Sequence, residues 1–238
     1  MNEQIQTPPL ILYIETGTDV CSVALSRGGA AVAVKERREG RLHAKLLAVL
    51  IDELLREQHV AVADLAAVAV SEGPGSYTGL RVGVSTAKGL CYGARKPLIA
   101  VGSLQSLAFL TLAQLPPAAP PDALIVPMID ARRMEVFTAV FDTAGRAVEA
   151  VEARIVEAHS FDRLLDAHHL FFAGDGADKC REALAHPHAH FLPVRASAVG
   201  MITPAFELFC RRRFADAAYF EPFYLKNFVA LPSKKRMF

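Results

Sequence analysis

Ser71-Glu72-Gly73-Pro74-Gly75-Ser76-Tyr77-Thr78-Gly79-Leu80-Arg81-Val82-Gly83-Val84-Ser85-Thr86-Ala87-Lys88-Gly89-Leu90 carries an apolar run into a helical pattern through a glycine-rich turn. The preceding Leu65-Ala66-Ala67-Val68-Ala69-Val70 has the length and branching of a strand buried on both faces, and Gly73-Pro74-Gly75 ends it. Ser76 or Thr78 can cap the helix that follows, and the unpaired N–H groups of its first turn make an anion site. Gly73, Gly75 and Ser76, with Arg81 one turn on, are therefore candidate phosphate contacts. The spacing fits neither familiar nucleotide loop. Gly73, Gly75 and Gly79 give G-x-G-x-x-x-G, and Lys88 precedes a glycine where a P-loop lysine follows one.

Along the helix, Gly79, Gly83, Thr86 and Leu90 fall at i, i+4, i+7 and i+11, beside an apolar flank of Leu80, Val84, Ala87 and Cys91. Small side chains let another backbone approach closely, and spacing leaves open whether that backbone is the chain's own sheet or a partner. Arg81 and Lys88 sit two turns apart, toward a phosphate, toward acidic groups of a partner, or on a solvated flank.

Outward from this stretch the pattern is α/β. Leu10–Glu15, Val20–Ser26 and Ala30–Glu36 read as a three-strand meander. Leu42, Leu46, Leu47, Leu50, Ile51, Leu54 and Leu55 give a helix from Leu42 to Gln58. After the glycine turn and its helix come a strand, Pro97–Val101, and a helix, Ser103–Gln114. Four prolines in 115–122 cannot continue a helix, so they mark a linker between a first lobe, 1–114, and a second, 123–214, with a tail over 215–238. The second lobe starts the pattern again: strands at Ala123–Ile129, Glu135–Phe141 and Arg146–Ile155, a helix at Phe161–Ala167 and a strand at Leu170–Ala173. A helix from Gly174-Asp175-Gly176 toward Leu184 and a long helix over Ser197–Phe214 complete it. Two copies of strand-strand-strand-helix-strand-helix predict an internally duplicated α/β fold of the actin, sugar-kinase and Hsp70 type, which is ribonuclease H-like.

The 238 residues carry 26 Lys and Arg against 25 Asp and Glu. A net charge of +1 supplies no global attraction to nucleic acid or membrane, so any such partner must be reached locally. Cys21, Cys91, Cys180 and Cys210 form no C-x-x-C and sit among apolar residues, as thiols of a reducing compartment do. Met1–Pro9 lacks the basic and apolar regions of a signal peptide, and no apolar stretch reaches membrane-spanning length. A cytoplasmic protein is expected.

Four segments together resemble the bacterial TsaB (YeaZ) family: Ile11–Leu25, His43 leading Leu46-Leu47, Gly73-Pro74-Gly75-Ser76-Tyr77-Thr78-Gly79-Leu80-Arg81-Val82-Gly83, and Asp130-Ala131-Arg132-Arg133-Met134-Glu135-Val136-Phe137. The resemblance spans nearly the whole chain. It implies a non-catalytic subunit that dimerises with its paralogue TsaD, which transfers threonylcarbamoyl to N6 of the adenosine beside the anticodon in tRNAs reading ANN codons. It further implies TsaE as a third subunit, TsaC as maker of the activated threonylcarbamoyl-adenylate, contact with tRNA only through the complex, and a homodimer when TsaD is missing. His43, Leu46, Leu50, Leu54, Tyr77, Thr78, Gly79, Gly83, Thr86 and Leu90 are the expected partner face, although leucines at such spacing equally form core. No cofactor is expected on the chain alone, with ATP or ADP and Mg at the junction of the complex.

A small-molecule kinase or ATPase of the same fold is the alternative, and a homodimeric scaffold unconnected with tRNA is another. A kinase would need two glycine-bearing phosphate hairpins, each with an acid to hold magnesium through water. The first hairpin here is Glu15-Thr16-Gly17-Thr18-Asp19, with Glu15 where the family commonly has aspartate and with Glu15 and Thr16 as candidate phosphate contacts. The second, Asp130-Ala131-Arg132-Arg133, has an acid but no glycines. By the resemblance, the metal-binding H-x-x-x-H of TsaD falls on Ser103 and Leu107, which are no replacement ligands. The cluster His186-Pro187-His188-Ala189-His190 is read as a solvated loop, and no peptidase motif occurs. Ser233-Lys234-Lys235-Arg236 is a basic segment that either brushes tRNA or is simply solvated. No catalytic residue and no metal ligand is expected.

Overall fold

A computed structural model describes residues 7–38 and 42–226. Two five-stranded sheets share one plan. The first runs β3 (Ala30–Arg37), β2 (Cys21–Arg27), β1 (Leu10–Glu15), β4 (Ala67–Gly73), β5 (Leu98–Gly102). The second runs β8 (Ala147–Ile155), β7 (Glu135–Phe141), β6 (Leu124–Asp130), β9 (Leu170–Ala173), β10 (Ala189–Leu192). In each, the first three strands are antiparallel and the last two pairings parallel. The chain therefore has the duplicated two-lobed α/β fold of the actin type.

Leu10 to Ile14 of β1 and Ala67 to Val70 of β4 are uninterrupted apolar runs because both faces are covered. On one face of the first sheet lie α1 (His43–Glu57) and α2 (Tyr77–Ala94), whose Leu47, Leu50, Ile51, Leu54, Val84 and Ala87 pack on Leu12, Ile14, Val23, Val68 and Val70. The other face takes a helix from the far end of the chain: the 3-10 turn Ala198–Met201 and α5 (Ile202–Cys210) bury Ala198, Met201, Ile202 and Ala205 against Ile11, Tyr13, Ala67 and Ile99. Conversely α3 (Ser103–Leu112) packs Leu104, Leu107 and Ala108 on Ile125, Ile129, Phe137 and Phe171 of the second sheet. The two halves thus exchange helices, and the exchanged pieces touch where Gly200 meets the Ser106 carbonyl. Assigning 1–114 and 123–214 to self-contained lobes needs that amendment.

Three helical expectations and one loop expectation are corrected. Asp162–Leu165 (α4) is one turn, shorter than Phe161–Ala167. From Gly174 toward Leu184 there are turns and a short 3-10 segment, Asp178–Cys180, because Gly174 and Gly176 press onto the β6 backbone at Met128 and Ile129. The long final helix reduces to α5, which ends at Cys210. Its C-cap bonds Arg212 N to Phe209 O and Arg213 N to Leu208 O turn the chain there. The expected loop over His186–His190 holds for His186, Pro187 and His188, while Ala189–Leu192 pairs with β9 as the edge strand β10. His169 Nδ1 lies 2.8 Å from His190 Nε2 in that pairing.

Past α5 the chain returns to the first lobe. Ala215 N donates to Leu98 O at 2.9 Å beside β5, and Phe223 N donates to Glu72 O at 2.7 Å. The basic segment 233–236 lies outside the described residues. No helix among the described residues is long and apolar enough to cross a membrane.

Candidate functional site

The glycine turn and the first hairpin are one packed unit. Ser76 is the α2 N-cap, its Oγ accepting from Gly79 N, as capping chemistry predicts. Ser76 N in turn donates to Gly17 O at 2.7 Å. A Cβ at Gly75 would collide with Gly17 O, one at Gly79 with Thr16 O, and one at Gly83 with Thr16 Oγ1. The small stripe therefore exists so that α2 can lie against its own hairpin. Gly79 and Gly83 are buried core contacts, which corrects their placement on a partner face.

The expected phosphate contacts Glu15, Thr16, Gly73, Gly75 and Ser76 do come together, with several backbone donors of the hairpin bonded internally and Thr16 Oγ1 buried without a hydrogen-bond partner. Gly17 N donates to Glu15 Oε1 at 2.6 Å, Thr16 N to Ser71 Oγ at 3.5 Å, and Val20 N to Thr18 Oγ1 at 3.3 Å. Glu15 is 1 % exposed, and burial raises its carboxyl to about 7 against the hydrogen bonds from Gly17, Ser71 and Thr16 that favour the charged form. Gly73, with φ +117°, sits under the returning chain, where Phe223 O would lie 2.5 Å from any Cβ. Arg81 is exposed and places its guanidinium 5.1 Å from the Tyr77 ring.

The second hairpin faces this one with its acids engaged. Asp130 accepts from Arg132 N at 3.0 Å and pairs with Lys179, while Asp175 accepts from Asp130 N at 3.2 Å. Burial and then the neighbouring Asp130 raise the Asp175 carboxyl. Arg132 and Arg133 occupy the tip in left-handed conformations, φ 74° and 51°. Ser103 and Leu107 are buried on α3, and among the described residues no group of three His, Cys, Asp or Glu side chains is arranged to hold a metal.

The outer surface of α1 and α2 is different in kind. Ile51, Leu55, Val62 and Leu90, with the ion-paired Asp52 and Arg56, line an open groove of about 460 Å³ between the two helices, which Thr86 also borders. Beside it, a Cβ at Gly89 or Gly93 would meet nothing within 4 Å, and Ser85 is exposed, so a second stripe of small residues faces outward. A second hollow, lined by Cys91, Tyr92, Gly93, Arg95 and Lys96, lies at the C-terminal end of α2.

Of the expected partner face, Thr86 and Leu90 line the groove, Leu46 is half-buried and Thr78 exposed. Leu50 and Leu54 are core, each 1 % exposed, and His43 is buried with Nε2 3.3 Å from Val20 O. Tyr77 is half-buried and its ring centroid lies 4.8 Å from that of Tyr224. Lys88 reaches neither phosphate nor partner, for its Nζ donates to Ala218 O and Phe220 O at 3.1 and 2.9 Å. Sequence reasoning missed Ser85, Gly89 and Gly93, which share the helical period of the inward stripe but fall opposite the buried Leu80, Val84, Ala87 and Cys91 flank.

Comparison with known proteins places this geometry. The family described as TsaD, tRNA N6-adenosine threonylcarbamoyltransferase, matches residues 35–229. The chain belongs to that family. Within it, the chain sides with TsaB. It is 38 % identical over 98 residues to the tRNA threonylcarbamoyladenosine biosynthesis protein TsaB of Haemophilus influenzae, covering 41 % of each chain. It is 33 % identical over 146 residues to that of Bacillus subtilis, covering 59 % of this chain and 58 % of the other. The chain thus matches about two fifths to three fifths of the length of these curated relatives. Among solved structures, YeaZ from Pseudomonas aeruginosa superposes with a TM-score of 0.77 at 27 % identity, over 91 % of this chain and all of the other.

Proposed function

We propose that the chain is a non-catalytic accessory subunit of tRNA threonylcarbamoyladenosine synthesis, pairing through the outer α1–α2 face with a TsaD-type transferase. The observation that carries this is the outward small stripe of α2 beside the groove between α1 and α2. Small residues let a partner helix approach α2 closely, and the groove accepts its apolar side chains. The occupant in this reading is a paralogue: the tRNA N6-adenosine threonylcarbamoyltransferase of Maricaulis maris is 46 % identical to this chain over 68 residues. Without the transferase a second copy takes the same face in an isologous pair.

Catalysis then belongs to the transferase, TsaE joins the assembled pair, TsaC supplies threonylcarbamoyl-adenylate, and tRNA is met through the complex in the cytoplasm. Any ATP or ADP with Mg is bound where the partner completes the site. The test is reconstitution with TsaD, TsaE, ATP, threonylcarbamoyl-adenylate and unmodified tRNA. Modified nucleoside should depend on this chain, and Leu90→Arg should abolish both pairing and the gain in product. Equal product without the chain would overturn the reading.

A further inference from the structure

One end of the first lobe is basic, although the chain as a whole carries only +1. Leu10 of β1 lies opposite Arg27 of β2, Ile11 opposite Ala67 of β4, and Val68 opposite Leu98 of β5. Arg27 and the Arg95-Lys96 pair just ahead of β5 therefore stand at the end of the sheet away from Glu15 and Gly73. α5 ends there too. Its Phe206 meets the β2–β3 turn, where a Cβ at Gly29 would come 2.7 Å from the ring, and Ala215 N donates to Leu98 O at 2.9 Å. Arg211, Arg212 and Arg213 thus fall between the turn that follows Arg27 and the start of β5 that Lys96 leads. Lys96 is half-buried and the five arginines are exposed. Arg211 meets Glu207 at 3.9 Å, and among the described residues the other five side chains have no ion pair or hydrogen bond. Against the six cations stand that Glu207, Asp64, which accepts from Ala61 N at 2.8 Å, and Asp216, which accepts from Ala218 N at 2.9 Å. Arg95 closes α2 and Arg212 follows α5, both left-handed, with φ 54° and 52°, where glycine would be unstrained. The charge is held there against the preference of the backbone. A helix dipole accounts for one cation at each helix end, not for three arginines in a row.

We propose that this basic end is an RNA surface: it takes the phosphate backbone of the tRNA on which the complex acts, so that this chain holds the substrate directly as well as pairing with the transferase. The identity of the RNA rests on the accessory-subunit reading. Charge complementarity carries the rest. Unpaired arginines spread over three neighbouring elements match a row of phosphates, each guanidinium fork can take two phosphate oxygens, and each neutralised phosphate releases counterions. Phe214, directly after the three arginines, is 41 % exposed and offers a ring face to an unstacked base. None of the six cations lines the α1–α2 groove, so pairing there and RNA binding here use different residues.

The experiment titrates fluorescently labelled, unmodified tRNA with the full chain, alone and paired with its TsaD-type partner, across a salt series. Arg95→Gly and Arg212→Gly relax left-handed positions, so both variants fold. Each should weaken tRNA binding about threefold to tenfold and lower the slope of log Kd against log salt by about 0.7–0.9, the share of one phosphate. Changing Arg211, Arg212 and Arg213 together to Glu should weaken binding more than about thirtyfold. Arg163→Ala removes a cation that is 86 % exposed on the second lobe and should bind as the parent does. Calorimetric pairing with the transferase should be equal for all of these variants. Lost tRNA affinity with unchanged pairing upholds the surface. If every variant binds tRNA within twofold of the parent and with the same salt slope, the surface is overturned, whether or not the chain pairs with the transferase. If tRNA binding is intact while binding to phosphatidylglycerol vesicles falls, the basic end faces a membrane and the RNA proposal fails. If the parent chain does not pair with the transferase, the accessory reading falls, while tRNA binding by the chain alone that is lost in the variants still upholds the surface.

Discussion

A methyl group on Gly83 would strike the Thr16 hydroxyl, whereas one on Gly89 would meet nothing within 4 Å. Gly83→Ala should therefore cost about 2–3 kcal/mol by overpacking, and Gly89→Ala should add about 0.5–1 kcal/mol through helix propensity. Urea denaturation of the two variants measures both signs. Glu15 yields a pH signature. Its folded carboxyl holds a proton up to about 7 against an ordinary 4.5, a difference equivalent to about 3 kcal/mol. The folded state then binds more protons than the unfolded one between those values, so stability falls as pH rises from 4.5 to 7 and levels off above. Glu15→Gln keeps an acceptor for Gly17 N and has no charge to bury. It should match the parent near pH 4.5 and exceed it by about 1–3 kcal/mol at pH 8, as denaturation at both pH values would show.

At the scale of elements, Leu50 and Leu54 illustrate what periodicity can and cannot say. Their spacing specified α1 and an apolar stripe, but a stripe that faces a sheet and one that faces a partner have the same period. Only the sheet's position, fixed by long-range pairing of β1 with β4, decides between them. The glycine turn shows the same limit: Ser76 as cap was legible, while the carbonyl of Gly17 that takes the place of an anion lies 59 residues away. β10 escaped notice because a four-residue run, Ala189-His190-Phe191-Leu192, carries almost no strand signal, and its pairing with β9 creates the strand. Leu50→Ala should accordingly lower stability by about 2–5 kcal/mol yet leave the affinity of the folded protein for its partner nearly unchanged. Calorimetric pairing at a temperature well below the variant's melting point separates the two.

At the scale of the whole molecule, the repeat was visible in the order of elements, and its sheets have identical strand order. The exchange of α3 and α5 between the halves was not, since nothing local distinguishes a helix that covers its own sheet from one that covers its neighbour's. Because each sheet relies on a helix from the other half, the chain should melt in a single transition with equal calorimetric and van't Hoff enthalpies. A fragment ending at residue 114 should show no cooperative unfolding by circular dichroism. The same exchange gives biosynthesis a schedule. Ile11, Tyr13, Ala67 and Ile99 line a face whose cover, Ala198–Cys210, leaves the ribosome some hundred residues later. At about 5–20 residues per second, the first sheet waits roughly 5–20 s with one apolar side bare. During that interval the nascent chain is a client for whatever holdase stands at the tunnel exit, and a substitution that slows the arrival of α5 would be felt as lost yield before it was felt as lost stability.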